Sequence, residues 1–317
     1  MKKQIINWAA FGVIALSLAA CKEGYNEFPD MEIIPARAAS FMDKYKPAEQ
    51  LFTGDADAGF EITGEQGMKV KFPAGAFLDA DGLPVSGEVT VRLIELYSKT
   101  DIMLAGLSTE SHSDLLESGG EFYLMAEKDG EELTLNPLNG PWTTDPVLID
   151  FPVAPDNAPD MLLFTGGPSN LDPNELTWIQ SNDRVVDNSK GWYSFPLPEF
   201  NWINLDKFAN YPGPRTNITI QATSNGTGSQ LDMNAWLVFR DTKTVIGMPG
   251  STTIGTHYDG MLPVGKEITL VLVGSDEDGV LYLGSLDITT EDDQTYTILA
   301  EQVTDQEAES FMQSLNQ

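Results

Sequence analysis

The sequence predicts an all-β chain: two antiparallel β-sandwich domains followed by a short C-terminal α-helix. Three observations predict it. Apolar and polar residues alternate in short runs rich in valine, isoleucine and threonine, as in Gly87-Glu88-Val89-Thr90-Val91-Arg92-Leu93-Ile94-Glu95-Leu96. That composition suits a pleated, half-buried surface. Turn-forming pairs recur between the runs, among them Asp129-Gly130, Asn225-Gly226 and Asp278-Gly279, and such pairs mark hairpins because they accept positive φ. Near the chain end, Thr304-Asp305-Gln306-Glu307 is a helix-start signature, in which threonine and glutamate each satisfy a free backbone donor.

At the N-terminus, Lys2 and Lys3 precede an apolar run from Trp8 to Leu18 that closes on Leu18-Ala19-Ala20-Cys21. The run is shorter than the about 20 residues a membrane-spanning helix needs, so residues 1–20 read as a cleavable export signal. The closing residues resemble a lipobox, at which a signal peptidase cuts before a cysteine already carrying a diacylglycerol thioether. Cys21 is the single cysteine in the 317-residue sequence. No internal disulfide can form, and stability has to come from core burial. Cys21 is therefore the predicted lipidation site, and the predicted location is the outer membrane, lipid-anchored, facing either the periplasm or the cell surface. One acyl chain holds a membrane only marginally, so lasting attachment implies two or three.

The chain carries 18 Lys and Arg against 48 Asp and Glu, a formal charge of −30 with histidine neutral. So acidic a surface repels nucleic acid and anionic lipid. The membrane is reached through Cys21, and the expected partner is a protein or glycan at the cell envelope.

Residues 21–50 read as a tether with Pro29, Pro35 and Pro47, and with a short helix at Ala36–Tyr45. Residues 51–209 read as the first sandwich. Met68–Phe72 and Gly87–Leu96 alternate and are joined through the turn Asp79-Ala80-Asp81-Gly82; Glu121–Ala126 and Glu132–Leu135 flank Lys128-Asp129-Gly130-Glu131 as a hairpin. Val147–Phe151, Met161–Phe164, Thr177–Ile179, Trp192–Phe195 and Phe200–Asn204 read as further short strands. Asn210-Tyr211-Pro212-Gly213-Pro214 marks a boundary by composition. Residues 210–317 then read as the second sandwich, with strands at Asn217–Ala222, Ala235–Arg240, Lys266–Val273, Val280–Leu283 and Thr295–Leu299. In the closing helix Ala308, Phe311, Met312 and Leu315 fall on one face, with Val303 placed to staple Ala308, and the helix is expected to pack on the second sandwich.

Phe72-Pro73-Ala74-Gly75-Ala76-Phe77, Asp81-Gly82 and Val85-Ser86-Gly87-Glu88-Val89-Thr90-Val91 resemble the opening of the ZU5-like β-sandwich of Bacteroidetes-type cell-envelope lipoproteins. Leu116-Glu117-Ser118-Gly119-Gly120-Glu121-Phe122 with Asp129-Gly130 is similar to its next strands, and Phe200-Asn201-Trp202-Ile203-Asn204-Leu205-Asp206-Lys207-Phe208 to its Trp-x-Asn-x-Asp-x-Phe segment. The resemblance implies a ZU5-like first domain, and the regular short strands of residues 210–317 are expected as an immunoglobulin-like second one. Some ZU5 relatives cleave themselves at a histidine followed by an apolar residue and serine or threonine. That triplet is missing here, so self-cleavage is not implied. Lys22-Glu23-Gly24 is a partial match to the acidic signal that sends such lipoproteins outward, which leaves both orientations open.

His112 and His257 are the two histidines, each in a polar, loop-like context without metal-ligand spacing; both are expected at the solvated surface. Asp55-Ala56-Asp57-Ala58-Gly59-Phe60-Glu61 alternates acids but places Phe60 where a calcium loop needs glycine. Asp276-Glu277-Asp278-Gly279 and Glu291-Asp292-Asp293 are expected as hairpin turns. Trp142, Trp178, Trp192, Tyr193 and Trp202 are expected in the core rather than as a sugar-stacking platform. The expected sites are thus lipidation at Cys21, with no catalytic residue, metal or cofactor, and the expected role is a non-enzymatic structural or binding module. Two other classes compete. A calcium-dependent adhesin would use the acidic turns. A glycan hydrolase would need two carboxylates about 5 to 9.5 Å apart in a cleft by the Trp-rich segment.

Overall fold

A computed structural model describes residues 36–112, 114–152, 161–168, 176–182, 186–188, 192–224, 232–248, 256–276 and 278–317. The predicted signal peptide, Cys21, the first part of the tether and the Asn225-Gly226 turn lie outside the described residues. In chain order the strands are β1 Gln50–Asp55, β2 Phe60–Thr63, β3 Lys69–Phe72, β4 Phe77–Leu78, β5 Glu88–Leu96, β6 Leu116–Lys128 and β7 Glu131–Glu132. They continue as β8 Thr134–Leu135, β9 Leu148–Pro152, β10 Leu162–Pro168, β11 Leu176–Gln180, β12 Val186–Asn188, β13 Trp192–Pro196 and β14 Asn201–Phe208. The rest are β15 Arg215–Ser224, β16 Asp232–Phe239, β17 Val245–Met248, β18 Thr256–Pro263, β19 Glu267–Ser275, β20 Leu281–Thr289 and β21 Gln294–Gln302. The helices are α1 Ala36–Tyr45, α2 Lys99–Leu104 and α3 Asp305–Ser314. The all-β expectation holds.

The first sandwich packs a sheet of order β1-β5-β6-β14-β10-β11, with β7 paired to β6, against a sheet of order β12-β13-β9-β3-β2. Phe72, Phe122, Phe151, Phe195 and Leu205 fill the layer between them. The β6–β7 hairpin forms as the sequence predicts: Lys128 opposes Glu131, and Asp129 and Gly130 sit at φ 55° and 82°. Two local expectations change. Thr134 and Leu135 leave the hairpin to pair with β4, and β3 and β5 enter opposite sheets rather than forming one hairpin across Asp79–Gly82. The apolar residues of β3 and β5 face each other across the core, so the alternation is satisfied without direct pairing.

One buried acid ties these layers together. The Glu95 carboxylate on β5 accepts from Gln50 Nε2, Gln66 N, Met68 N and the Tyr97 hydroxyl at 2.9–3.2 Å. It thereby pins the β2–β3 turn to the other sheet. Glu95→Ala strands those donors and is expected to cost about 3 kcal/mol, read as a fall in urea midpoint at unchanged slope.

The second sandwich is one sheet folded on itself, of order β17-β16-β19-β20-β21-β15-β18, around Leu237, Phe239, Leu270, Leu272 and Ile298. It is not antiparallel throughout: β15 and β21, the first and last strands of the unit, run parallel from Ile218↔Gln294 to Ser224↔Ala300. Strand β21 pairs with β20 at Tyr282↔Gln302 and Leu283↔Glu301. At that crossing Gly284 is needed, because a Cβ there would lie 2.8 Å from the Leu299 carbonyl oxygen.

The two sandwiches do not hang as beads on a linker. Tyr123 and Met125 on the outer face of β6, and Trp202 on β14, share one core with Trp236 and Val238 on β16 and Val271 and Val273 on β19. All three helices enter it. The described end of the expected tether is helix α1, which buries Phe41 and Met42 there and joins α3 through Lys44–Asp305 at 3.2 Å. The short helix α2 starts at a capping box made by Ser98 and Asp101 and buries Ile102, Met103 and Leu104. Helix α3 carries the predicted capping box. Its apolar face fills the seam between the sandwiches, where Thr100 Oγ1 donates to the Met312 carbonyl at 2.5 Å, rather than resting on the second sandwich alone. Polar contacts close the seam's edges: Thr109 N to Val245 O at 2.7 Å, Ser118 N to Lys243 O at 2.9 Å, and Thr244 Oγ1 to Leu116 O at 2.8 Å.

Candidate functional site

The strand pairing brings two acids to the seam-facing side of the first sandwich. Glu121 on β6 lies opposite Asn204 on β14, and Asp206 on β14 lies opposite Ser118. Both carboxyls are fully buried. Asn204 Nδ2 donates to Asp206 Oδ2 at 2.7 Å, whereas Asp206 Oδ1 and both Glu121 oxygens have no hydrogen-bond partner among the described residues. Burial raises the Asp206 carboxyl to about 7; Ser118, Asn204 and the Lys243 ammonium restrain the shift. Burial, reinforced by the Asp206 charge, raises Glu121 well above the carboxylate range. Lys243 arrives from the β16–β17 hairpin of the second sandwich and donates to Tyr97 O at 2.7 Å; burial lowers its pKa, against the pull of Asp206 and Asp101.

These two carboxyls lie within the core, on strands that also carry Tyr123 and Trp202. A general acid must come within hydrogen-bond reach of the group it protonates. Glu121 and Asp206 are sealed from solvent and meet no such group.

The candidate recognition surface is a groove of about 780 Å³ where α2, α3 and the second sheet meet. Phe311 and Leu315 of α3 and Val238 of β16 form its apolar side. Lys99, the first residue of α2, is only 8 % exposed, and its Nζ donates to the Phe239 carbonyl at 2.6 Å. Burial lowers its pKa, with Asp241 acting in the opposite direction. Around the rim, Arg240 pairs with Asp287 at 3.5 Å and Lys266 with Asp241 at 3.1 Å, while Thr269 Oγ1 donates to Asp287 Oδ1 at 2.6 Å.

The sequence-predicted residues do not converge on either place. Cys21 lies outside the described residues. His112 is exposed in the segment between α2 and β6, and His257 lies on β18 opposite Thr219 rather than in a loop. Trp178 and Trp202 are core residues at 1 % and 0 % exposure, with Trp178 Nε1 donating to Ser108 O at 2.7 Å, and Tyr193 is buried. Trp192 is half-buried. Trp142 departs from the core expectation at 77 % exposure, because the loop after Asn139 turns outward.

The acidic turns use their carboxylates within the fold, two on their own backbone and one on a neighbouring strand. Asp55 Oδ1 accepts from Asp57 N at 2.9 Å, and Asp276 Oδ1 from Asp278 N and Val280 N at 3.0 and 2.9 Å. Asp292 Oδ1 accepts from Thr216 Oγ1 at 3.2 Å. No group of three or more metal-ligating side chains is assembled among the described residues, and no described helix is long and apolar enough to cross a membrane. Sequence reasoning missed Lys99 and the seam acids. Ser98-Lys99-Thr100-Asp101 carries a capping-box spacing that marks α2, whereas Glu121 and Asp206 stood only within resembling segments and nothing local pairs them.

No protein-family model and no curated protein matches the chain. Among solved structures it aligns with a gamma-CGTase from alkalophilic Bacillus clarkii at 12% identity and a TM-score of 0.22, covering 78% of this chain and 42% of that one. It also aligns with pneumolysin, described as a sugar binding protein, at 8% identity and a TM-score of 0.15, covering 83% and 69%. The chain therefore spans less than half the length of the first. At such scores neither likeness bears on fold or activity.

Proposed function

We propose that this chain is a lipid-anchored outer-membrane lipoprotein of the Bacteroidetes type, with a ZU5-like first sandwich, that acts as a non-enzymatic binding module at the cell envelope. The observation that carries the reading is the contrast between its two polar places. The two buried acids with raised pKa values, Glu121 and Asp206, are sealed in the seam, whereas the open groove beside α3 presents Phe311 ringed by charged side chains. A rigid scaffold with a groove at its surface suits capture of a partner. Attachment through Cys21 would hold that groove near the membrane, since Cys21 precedes helix α1 at Ala36 by few residues in sequence.

Labelling cells with a tagged fatty acid tests the address. Wild type is expected to take up the label and sediment with membranes, and Cys21→Ser to lose both. Equal labelling and sedimentation of the two would contradict the anchor.

A further inference from the structure

We propose that the groove between α3 and the β16-β19-β20 face is a docking site for a short basic peptide segment whose cations are interspersed with apolar residues. This rests on the binding-module reading for its role, but not on the lipid at Cys21.

Three observations select that occupant. The volume of about 780 Å³ falls within the range of roughly 300–1,000 Å³ typical of ligand clefts, and half-buried Phe311, beside the largely covered Leu315 and Val238, offers an apolar contact for a side chain such as leucine. The cations of the groove are already committed: Lys99 to the Phe239 carbonyl at 2.6 Å and Arg240 to Asp287 at 3.5 Å, while Lys266 beside it holds Asp241 at 3.1 Å. The exposed Glu267 carboxylate, by contrast, has no hydrogen bond or ion pair among the described residues.

The last turn of α3 adds to the negative field, since Ser314 and Leu315 line the groove at the helix C-terminus, where the macrodipole is negative. The charge of −30 on the whole chain draws cationic partners toward it and repels anionic ones. An incoming lysine or arginine therefore meets Glu267 unpaired and Asp241 and Asp287 only partly neutralised. An acidic ligand meets the same rim, where Lys99, Arg240 and Lys266 are each already engaged.

The test uses the full chain purified in a non-ionic detergent and two fluorescent peptides, one alternating lysine with leucine and one alternating glutamate with leucine. Anisotropy is read for wild type, Glu267→Lys, Ser285→Trp and Glu88→Lys. Ser285 is exposed on the groove wall, so tryptophan there fills the groove without entering a core; Glu88 is exposed on the first sandwich. The lysine–leucine peptide is expected to bind wild type, and about tenfold more weakly to either groove variant, with Glu88→Lys unchanged. Melting temperatures establish that each variant folds. Preference for the glutamate peptide, absence of lysine-peptide binding, or equal weakening by Glu88→Lys would each overturn the proposal, the last by reducing the effect to general charge attraction. Should it fail while fatty-acid labelling of Cys21 succeeds, the anchored-module reading stands and only this groove loses its assignment.

Discussion

Phe41→Ala is expected to lower the stability of both sandwiches together by about 3–5 kcal/mol. Phe41 is fully buried on α1 and lies in the core that joins Trp202 and Tyr123 of the first sandwich to Trp236 and Val271 of the second. Removing its ring leaves a void that neither sheet can close alone, because each is held by its own strand ladder. Native-state amide exchange reads the result by region. Protection on β6 and on β19 should fall by the same free energy. A loss on β19 alone would mean that α1 belongs to the second sandwich and that the seam is a contact rather than a core.

The second large effect is on pH. Asp206 is raised to about 7 in the folded chain, from an ordinary value of 3.8, so the folded state binds more protons than the unfolded one between those values. The stability from the neutral acid is complete below about pH 4 and is lost as pH rises through about 7. That group alone accounts for a loss of up to about 4 kcal/mol across the window. Glu121, raised by burial and by Asp206, adds a loss of the same sign. Other acids titrate in the same range, so the informative quantity is the difference between wild type and Asp206→Asn. The variant should gain relative stability steadily from pH 4 to pH 8, followed by urea unfolding. A difference that stays flat with pH would mean that Asp206 is already ionised in the acid range. Lys243→Met should move the effect the other way, raising Asp206 further by removing the ammonium that restrains it.

Much of the fold could be read from local pattern. The Asp129-Gly130 hairpin and the Thr304–Glu307 cap follow from residue chemistry that tertiary contacts do not change, and both form as expected. The seam was written in the sequence less openly. Phe122-Tyr123-Leu124-Met125-Ala126 is apolar at every position, as is most of Ile268–Val273, and a continuous apolar run marks a strand covered on both faces. Period two explains one covered face of β6; Tyr123 and Met125, on the other face, required a second body to pack against. The proline-marked stretch before β1 read as tether because α1 is short. Its described buried residues are Phe41 and Met42, with Tyr45 packed beside them, too few apolar residues to announce a buried helix.

The candidate sites were the least legible part. The groove draws Lys99, Glu267, Ser285 and Phe311 from four elements and Arg240 from the β16–β17 turn, and no spacing links them. Glu121 and Asp206 meet because β6 pairs with β14, a contact between strands far apart in the chain. Trp202 and Trp178 were expected inside and are inside.

The central claim is that the folded chain, from α1 to α3, is one body whose two sandwiches share a core. Calorimetry of the full chain tests it directly, since independent domains unfold separately and a single cooperative unit does not. A single transition is expected, with calorimetric and van't Hoff enthalpies equal and with Phe41→Ala shifting the whole peak. Two resolved transitions, only one of them moved by Phe41→Ala, would contradict it.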